Sequence, residues 1–288
     1  MSTLMRSSTG QEVVLLQDRL FELGFDPGAS DGLFGPATEK AVKAFQRSRG
    51  LVADGVVGPM TATALARSFA GFDTSVYPGD ETMRLWKQNS PYAFAAYYLQ
   101  SPCHRSGSWM GHRAPLLETG WNLLPVYVGQ QMLGASPCTR SNLTEEQGRA
   151  DGEDAAAKMT LEGFAPGFYV FLDVERTDTY PGSLSAYIAS WVATVSATGR
   201  GVGVYCHKHN AADIKTTVLA AVTSAVQPHF WIVGGSVSKF HLDTGKPSDC
   251  GVPFADIWQC PASVTREFAG VSITIDENLS RLPNPAGT

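Results

Sequence analysis

The feature of this sequence that most restricts its fold is an eight-residue phrase that occurs twice in the first quarter of the chain. The copies are Asp31-Gly-Leu-Phe-Gly-Pro-Ala-Thr38 and Asp54-Gly-Val-Val-Gly-Pro-Met-Thr61, which share Asp, Gly, Gly, Pro and Thr at matching places. Glycine adopts positive φ readily, and proline fixes φ for the first turn of a helix. Each copy therefore predicts a tight turn followed at once by the start of a helix.

Apolar residues around the two copies follow helical spacing. The first helix is predicted from residues at three- and four-residue intervals, namely Val13, Leu16, Leu20 and Leu23. Gly24 follows as a C-terminal cap, and Pro36 and Pro59 each begin a further helix. Residues 1–69 are therefore predicted to form a domain of their own, a small all-α bundle of three helices.

This N-terminal segment resembles the peptidoglycan-binding domain of bacterial and phage wall hydrolases. The likeness rests on the repeated phrase together with Gln17-Asp-Arg-Leu-Phe-Glu-Leu-Gly24 and Ala41-Val-Lys-Ala-Phe-Gln46, in the family's order over about residues 9–66. The resemblance implies that the glycan strands of peptidoglycan are the partner and that this domain is a tether rather than a catalyst. We expect the turn residues to build the fold rather than to contact the glycan: Asp31, Gly32, Asp54 and Gly55.

Residues 70–288 form the second predicted domain, in which strand-like apolar runs alternate with helical or loop stretches. Eight strands are predicted, near residues 72–76, 93–99, 123–128, 169–175, 202–206, 229–233, 255–259 and 272–276. The clearest helix follows the fourth strand, where Leu184, Ile188 and Trp191 keep helical spacing. Eight such units predict an α/β fold, a (β/α)8 TIM-like barrel.

Catalytic side chains of such barrels lie at the C-terminal ends of the strands, at alternate positions that point inward. In Phe171-Leu-Asp-Val-Glu175 the alternation directs Asp173 and Glu175 inward, two carboxylates on one strand face. Asp73 in the first strand and Asp276 in the last take corresponding places. Further positions expected to contact substrate, inward or at the rim, are Tyr98 (in preference to Tyr97), Tyr127, Tyr205, His207, Trp231 and Gln259. Four acids and several aromatic rings should therefore meet at one mouth of the barrel.

The chemistry of such a mouth suits a carbohydrate. A cluster of like charges raises the pKa of at least one carboxyl, which then stays protonated and can act as an acid. Aromatic rings beside carboxylates suit a sugar, whose ring offers both C–H faces and hydroxyl groups. Because glycoside hydrolysis pairs an acid with a second carboxylate, these residues indicate a glycosidase.

The strand-end motifs resemble those of family 25 glycoside hydrolases, the Chalaropsis-type muramidases. The motifs are Gly-Phe-Asp73-Thr, Phe-Leu-Asp173-Val-Glu175 and Ile-Asp276-Glu-Asn278. Further motifs are Ala-Phe-Ala-Ala-Tyr-Tyr-Leu99, Leu-Leu-Pro-Val-Tyr127, Gly-Val-Gly-Val-Tyr205 and Ile-Trp-Gln259. With Gly-Phe-Asp73-Thr they make about residues 71–280 similar, more closely still, to the glycoside-hydrolase-like domain of exported actinobacterial and phage proteins. The resemblance implies that Glu175 is the general acid and base and that Asp173 stabilises an oxocarbenium or an oxazolinium ion. It also implies that Asp73 and Asp276 tune the charge and hold the sugar.

The expected function is a peptidoglycan hydrolase with muramidase- or lysozyme-like cleavage of the glycan strand. Two alternatives stay open: a wall-binding protein with a catalytically degenerate barrel, and a peptidoglycan amidase. His207-Lys-His209 has the spacing of two zinc ligands, as a zinc amidase would need, but no third ligand can be assigned. We expect no metal site and no cofactor, and the sequence contains no phosphate-binding glycine loop.

Charge and hydropathy restrict the partners further. Residues 1–68 hold equal numbers of acidic and basic side chains, so the formal net charge of −5 belongs to the rest of the chain. An acidic domain without a basic stripe argues against nucleic acid, and no apolar run is long enough for membrane insertion. A monomer is expected. The first residues lack the pattern of a secretory signal, so we expect action at the bacterial cell wall after lysis, as a phage endolysin, or after export by a specialised route.

The five cysteines, at positions 103, 138, 206, 250 and 260, are too few and too scattered for a disulfide framework. Two pairs could form a bridge, Cys103 with Cys138 or Cys250 with Cys260, and the spacing does not choose between them. Free thiols are the default expectation for all five.

Overall fold

The structure is a computed structural model that describes residues 3–132 and 143–287. Contacts between Cα atoms divide the chain into two compact units, Met1–Arg67 and Ser68–Thr288. Each unit has a hydrophobic core of its own. Among the described helices, none is both long enough and apolar enough to cross a membrane.

The first unit is helical. It contains α1 (Gln11–Glu22), α2 (Pro36–Ser48) and α3 (Pro59–Ala66). As the sequence predicts, Pro36 and Pro59 begin their helices, at a position where the missing N–H has no partner to lose. The helices bury one apolar cluster, made mainly of Val13, Leu16, Leu20, Phe34, Val42 and Phe45.

The first copy of the repeated phrase closes around the buried side chain of Gln17. The Nε2 group of Gln17 donates to Asp31 Oδ1 at 3.0 Å and to the Leu33 carbonyl at 3.1 Å. It also lies 3.1 Å from Thr38 Oγ1. Gln17 Oε1 accepts from the N–H of Gly32 at 2.9 Å, and Gly32 has the positive φ of 73° that the phrase predicts. The turn is therefore organised by one side-chain amide.

The second copy repeats these bonds around Gln46. Its Nε2 group donates to Asp54 Oδ1 at 2.7 Å and to the Val56 carbonyl at 3.0 Å, and it lies 3.1 Å from Thr61 Oγ1. Gln46 Oε1 accepts from the N–H of Gly55 at 2.9 Å. The repeated aspartates and glycines therefore build turns, as the sequence predicts, and each turn depends on a glutamine of the preceding helix.

Replacing Gln46 by alanine is expected to destabilise the first unit by about 3 kcal/mol, because several buried polar groups lose their partner at once. Hydrogen exchange at the backbone amides of α2 and α3, measured in the whole chain, checks this value. Gln11→Ala, which truncates an exposed glutamine of α1, serves as the control. Equal exchange in both variants would contradict the role of Gln46.

The second unit is a closed barrel. Seven strands run parallel, each paired with the next: β1 (Phe69–Asp73), β2 (Phe94–Leu99), β3 (Asn122–Val128), β4 (Tyr169–Val174), β5 (Gly201–His207), β6 (His229–Val233) and β7 (Ile257–Gln259). Two more strands follow, β8 (Val264–Phe268) and β9 (Val271–Ser280). Strand β9 pairs with both β7 and β1, so eight strands close into a ring.

The eighth barrel strand runs opposite to the other seven. Strands β8 and β9 form a hairpin whose turn residues, Ala269 and Gly270, both have positive φ, and β9 then enters the barrel antiparallel to its two neighbours. A parallel return requires a crossover of a dozen or more residues, whereas a hairpin reverses the chain at once. The sequence-based expectation of eight parallel units is therefore wrong for the last strand.

Helices connect most of the successive parallel strands. They are α4 (Asp80–Asn89), α5 (Arg113–Glu118), α6 (Glu145–Leu161), α7 (Gly182–Ala197) and α8 (Ala211–Ala221). Between β6 and β7, a stretch that is described throughout, two 3-10 turns take the place of a helix (Val237–Lys239 and Pro247–Cys250). The (β/α)8 prediction is thus confirmed only as a closed eight-stranded barrel accompanied by helices.

Two apolar clusters separate the inside of the barrel from the outside. Alternate residues of β4, such as Val170 and Leu172, share a cluster with Ile188 and Trp191 of α7. The strand residues at the intervening positions, such as Phe171 between Val170 and Leu172, belong to a second cluster. It also includes Phe94, Val126, Trp231 and Ile257. This second cluster fills the barrel and is the interior cluster. A strand residue that belongs to it faces inward, and a strand residue that belongs to the first cluster faces the surrounding helices.

The cysteines depart from the default expectation at one position. Cys206, Cys250 and Cys260 are buried free thiols, so the bridge between Cys250 and Cys260 is not formed. Cys103 is disulfide-bonded, and free thiols are therefore wrong for this residue. Cys138, considered from the sequence as its partner, lies outside the described residues.

Candidate active site

Strand β4 supplies two acids to the mouth of the barrel. Phe171 belongs to the interior cluster, so the alternation along the chain directs Asp173 and Glu175 to the same side. Asp173 is half-buried, and its Oδ1 atom is buried with no hydrogen-bond partner among the described residues. Glu175, the first residue beyond the strand, is exposed. The pair thus combines a desolvated carboxyl with one that a ligand can reach.

Both carboxyls hold a proton more strongly than a free acid does. Burial raises the pKa of Asp173 well above its usual range, and the charges of Glu175 and Asp73 raise it further. Desolvation also raises the pKa of Glu175, and the charge of Asp276 raises it further. A hydrogen bond from the backbone of Arg176 lowers this pKa, but by less than desolvation raises it. This pattern favours a protonated acid at the mouth.

A second pair of acids comes from β1 and β9. Asp73 is the last residue of β1, and its partner in the antiparallel register is Asp276. Because β9 is reversed, Asp276 reaches the mouth where the strand enters the barrel and not where it ends. Its Oδ1 accepts from the N–H of Ser263 at 2.5 Å, which lowers its pKa, but burial raises that pKa by more. Asp276 therefore lies beside Asp73 as expected, although the strand direction differs.

Asp73 is buried and accepts hydrogen bonds from three side chains. Tyr98 donates its hydroxyl to Oδ1 at 3.0 Å. The amides of Gln259 and Asn278 each donate to Oδ2 at 2.8 Å. Burial and the charge of Asp276 outweigh these bonds and raise the pKa of Asp73 to about 7. Asp73 can therefore exchange its proton close to neutral pH.

A second layer of hydrogen bonds orients the two amides. The indole N–H of Trp231 donates to Asn278 Oδ1 at 2.8 Å, which leaves the amide nitrogen of Asn278 to face the carboxyl. Tyr205 donates its hydroxyl to Gln259 Oε1 at 2.8 Å in the same way. The rings of Tyr205 and Trp231 also meet edge to face, with centroids 4.9 Å apart. The network therefore fixes both donors to Asp73.

Trp231 and Gln259 face inward as predicted, but they lie too deep for the expected substrate contact. Trp231 is 1% exposed and Gln259 is 3% exposed, because the interior cluster and the network cover them. Both act through other residues, by holding Asn278 and Asp73. Tyr98 and Tyr205 are only half-buried, so part of each ring is accessible from the mouth.

Tyr127 does not face the mouth, and its predicted inward orientation is wrong. Its neighbour Val126 lies in the interior cluster, so Tyr127 points to the outer side of β3. There its hydroxyl donates to Asp154 of α6 at 2.8 Å. A ring that packs under a helix on the outside of the barrel cannot contact a sugar at the mouth.

His207 ends β5 on the same face as Tyr205, which agrees with the predicted rim position. Its Nδ1 accepts from the N–H of His209 at 3.1 Å. Burial lowers the pKa of His207, and the neighbouring residues Arg176, His209 and Lys208 lower it further. Within residues 3–132 and 143–287, no group of three or more His, Cys, Asp or Glu side chains is arranged to hold a metal ion.

Asn278 is a site residue that sequence reasoning did not select. It is fully buried and joins Trp231 to Asp73. A signal was present, because Asn278 follows Asp276 by two residues and therefore shares its strand face. Asn278 is neither an acid nor an aromatic ring, and its amide acts on another side chain, so a pattern of acids and rings does not single it out.

Fold and site together define a class of protein, in which a small helical module precedes a closed eight-stranded barrel with four acids at its mouth. Residues 84–280 match the family described as Rv2525c-like, glycoside hydrolase-like domain, and the chain belongs to this family. Residues 9–65 match the family described as putative peptidoglycan binding domain. The predicted resemblances to a peptidoglycan-binding domain and to a glycoside-hydrolase-like domain are therefore confirmed.

Solved structures share the barrel fold. An uncharacterized protein of B. stearothermophilus aligns with 75% of this chain and 99% of its own, with a TM-score of 0.53 and 18% identity. The spore cortex lytic enzyme SleM of Clostridium perfringens aligns with 74% of this chain and 67% of its own, with a TM-score of 0.51 and 13% identity. At such identities the likeness concerns the fold alone.

The curated relatives match over a much shorter stretch. The N-acetylmuramoyl-L-alanine amidase CwlM of Mycobacterium tuberculosis is 48% identical over 56 residues, which are 19% of this chain and 14% of the amidase. Across the five curated relatives that match, the chain spans between 14% and 25% of their length. The matched stretch therefore has the size of the helical module and not of the barrel.

Proposed function

We propose that this chain is a cell-wall hydrolase that cleaves the glycan strands of peptidoglycan in the manner of a muramidase. The observation that carries the proposal is the pairing of the exposed Glu175 with the half-buried Asp173 at the end of β4. Glycoside hydrolysis requires an acid that reaches the scissile bond and a second carboxyl beside it. Membership of a glycoside hydrolase-like family supports the same class of reaction.

In this proposal Glu175 is the general acid and base. Its raised pKa keeps a proton available, and this proton passes to the glycosidic oxygen as the bond to the sugar carbon breaks. The resulting carboxylate then takes a proton from the water that completes the hydrolysis. Because Glu175 is exposed, a glycan can approach it without displacement of the barrel wall.

Asp173 is proposed to stabilise, as a carboxylate, the positive charge that develops on the sugar. That positive charge offsets the burial and the repulsion from Glu175 and Asp73 that raise the pKa of Asp173. Its buried Oδ1 has no partner among the described residues, so a hydrogen-bond donor from the substrate would satisfy it. The acetamido N–H of a peptidoglycan sugar is such a donor. Asp173 would then stabilise an oxazolinium ion formed by that acetamido group, or an oxocarbenium ion directly.

The remaining mouth residues are proposed to bind the sugar and adjust the charge. With its pKa raised to about 7, Asp73 is partly protonated near neutral pH, which limits the repulsion that it exerts on Asp173. The accessible parts of Tyr98 and Tyr205 would pack against the sugar. His207, at the rim, would contact the strand where it leaves the site.

The helical module is proposed to hold the enzyme on peptidoglycan, so that the chain acts at the bacterial cell wall. Its match to a peptidoglycan-binding family supports this role. We further propose that the barrel is a variant of the (β/α)8 fold in which the last strand is reversed. The seven parallel strands in chain order support that assignment.

One assay of product ends separates this proposal from its alternatives. Purified cell walls are incubated with the whole chain, and reducing sugar and free amine are measured in parallel. Release of reducing sugar supports the glycosidase, and free amine whose release stops on chelation would identify a zinc amidase instead. Wall binding with neither product would identify a barrel without activity.

A further inference from the structure

The end of β4 is held by a side chain from outside the sheet. The β3–β4 ladder ends where Val128 pairs with Asp173. Beyond this point the Nε2 group of Gln131 donates to the carbonyl of Asp173 at 2.9 Å. Its Oε1 accepts from the N–H of Glu175 at 3.0 Å. One buried side-chain amide thus extends the ladder by two hydrogen bonds to backbone groups of β4 and the residue after it, one on each side of Val174.

The turn that follows β3 brings this amide into place. A Cβ atom at Gly129 would lie 2.5 Å from the Tyr187 hydroxyl and 2.7 Å from Leu172 Cδ1, so only glycine allows the chain to pass there. The N–H of Gln130 then donates to the Tyr187 hydroxyl at 3.0 Å, and Gln131 also donates to the Gly129 carbonyl at 3.0 Å. The position of Gln131 is therefore set twice, by the turn through Gly129 and Gln130 and by the hydrogen bonds of its own side chain.

We propose that Gln131 is a positioning residue for the reaction. It holds the backbone at Asp173 and Glu175, so that the Glu175 carboxyl stays directed at the scissile bond. The inference rests on the proposed function, in which Glu175 is the general acid and base. Glu175 lies one residue beyond β4 and its side chain is exposed. The hydrogen bond from its N–H to Gln131 is thus a main restraint on where this residue lies.

Loss of the restraint should reduce turnover more than binding. A displacement of about 1 Å at a reacting group costs on the order of 10²-fold in rate. Gln131→Met keeps the length of the side chain and removes its hydrogen bonds to Asp173 and Glu175, together with the one to the Gly129 carbonyl. We therefore expect about that loss in kcat on cell walls, with little change in KM. Gln130→Ala is the matched control, since it removes the neighbouring glutamine, whose amide donates to Asp151 of α6.

Gln131→Glu provides a test that a purely structural role would not pass. A protonated glutamic acid can donate to the Asp173 carbonyl and accept from the Glu175 N–H, whereas a charged one repels that carbonyl. The activity of this variant relative to wild type should therefore rise at least tenfold as the pH falls from 7.5 to 4.5. Protonation restores the two hydrogen bonds and so recovers part of the roughly 10²-fold rate loss that displacement of Glu175 causes. Gln131→Met should show no such recovery, and a flat ratio for Gln131→Glu would overturn the proposal.

Hydrogen exchange separates the failure of this inference from a failure of the proposed function. The Glu175 amide should exchange at least tenfold faster in Gln131→Met than in wild type or Gln130→Ala, whether or not the chain has activity. Unchanged protection in Gln131→Met would overturn the inference. A wild type that releases no reducing sugar would overturn the proposed function, while the exchange of this amide would still decide whether Gln131 holds β4.

Discussion

Glu175→Gln is expected to lower the release of reducing sugar from purified walls on the order of 10³-fold, with wall binding unchanged. The amide has the shape of the acid but no proton to give to the leaving oxygen, and general acid–base catalysis contributes 10²- to 10⁴-fold in rate. Binding should survive because the helical module is a separate unit with its own core. Reducing-end release and co-sedimentation with walls measure the two properties separately.

The control for this experiment is Glu153→Gln. Glu153 is exposed on α6, where it pairs with Arg149, and such a pair contributes little to stability. This variant should release reducing sugar at the wild-type rate. If Glu175→Gln also kept the wild-type rate, Glu175 would not be the general acid and the proposed mechanism would fail.

The barrel is expected to lose stability as the pH rises, by about 4 kcal/mol from Asp73 alone. In the folded chain the pKa of Asp73 is raised to about 7 from its ordinary 3.8, so folding favours the protonated carboxyl. This contribution is present in full below about pH 4 and is lost as the pH rises through about 7. The raised pKa values of Asp173, Glu175 and Asp276 act in the same direction.

Asp73→Asn should remove most of this pH dependence and make the barrel more stable than wild type at pH 8. The asparagine can accept from Gln259 and Asn278 through its oxygen, and its NH₂ group can donate to the Tyr98 hydroxyl. Urea unfolding followed by tryptophan fluorescence at pH 5 and pH 8 gives the slope. The probe reports on the barrel because all six tryptophans are buried there.

Two results would argue against this account of Asp73. One is a wild-type barrel that is equally stable at pH 5 and pH 8. The other is an Asp73→Asn variant that retains the wild-type slope, since another group would then carry it. Glu153→Gln, which removes an exposed carboxyl, should leave the slope unchanged.

The orientation of strand residues could be predicted where one face of the strand differs chemically from the other. In β4, acids and apolar residues alternate toward the mouth, and Asp173 and Glu175 were assigned to the correct side. In β3, Val126 and Tyr127 stand in a run that is apolar on both faces. Such a strand is buried on both sides, so its pattern does not specify which residues face inward, and Tyr127 was assigned to the wrong side.

The alternation of apolar and polar residues specifies neither how deeply an inward side chain is buried nor in which direction a strand runs. Alternation indicates that Trp231 faces inward, but not that Tyr205 and Asn278 cover it. A strand reversed by a hairpin has the same period of two as a parallel strand, so the sequence pattern does not distinguish the two directions. Asp276 lies at the mouth because β9 enters the barrel there, whereas the sequence predicts that a parallel strand ends there. Gln131 gave no signal, because its contacts join a loop to a strand that is distant along the chain.

The helical module shows the same division between local and non-local information. Its turns could be predicted, since glycine, proline and aspartate define them within a few residues. The glutamines at their centres could not. Gln17 precedes its aspartate by 14 residues and Gln46 precedes its own by 8, so the two copies share no spacing that would mark these residues.

The site forms only after the last strand of the barrel has been synthesised. Asp73 needs Asn278 as a donor and Asp276 as a neighbour, and both come from the strand that closes the barrel. A ribosome that has translated as far as β7 has produced Asp73, Asp173 and Glu175, but no ring in which they can meet. Pairing across some two hundred residues is slow to form. A nascent chain therefore lacks the assembled site until β9 has been translated and inserted.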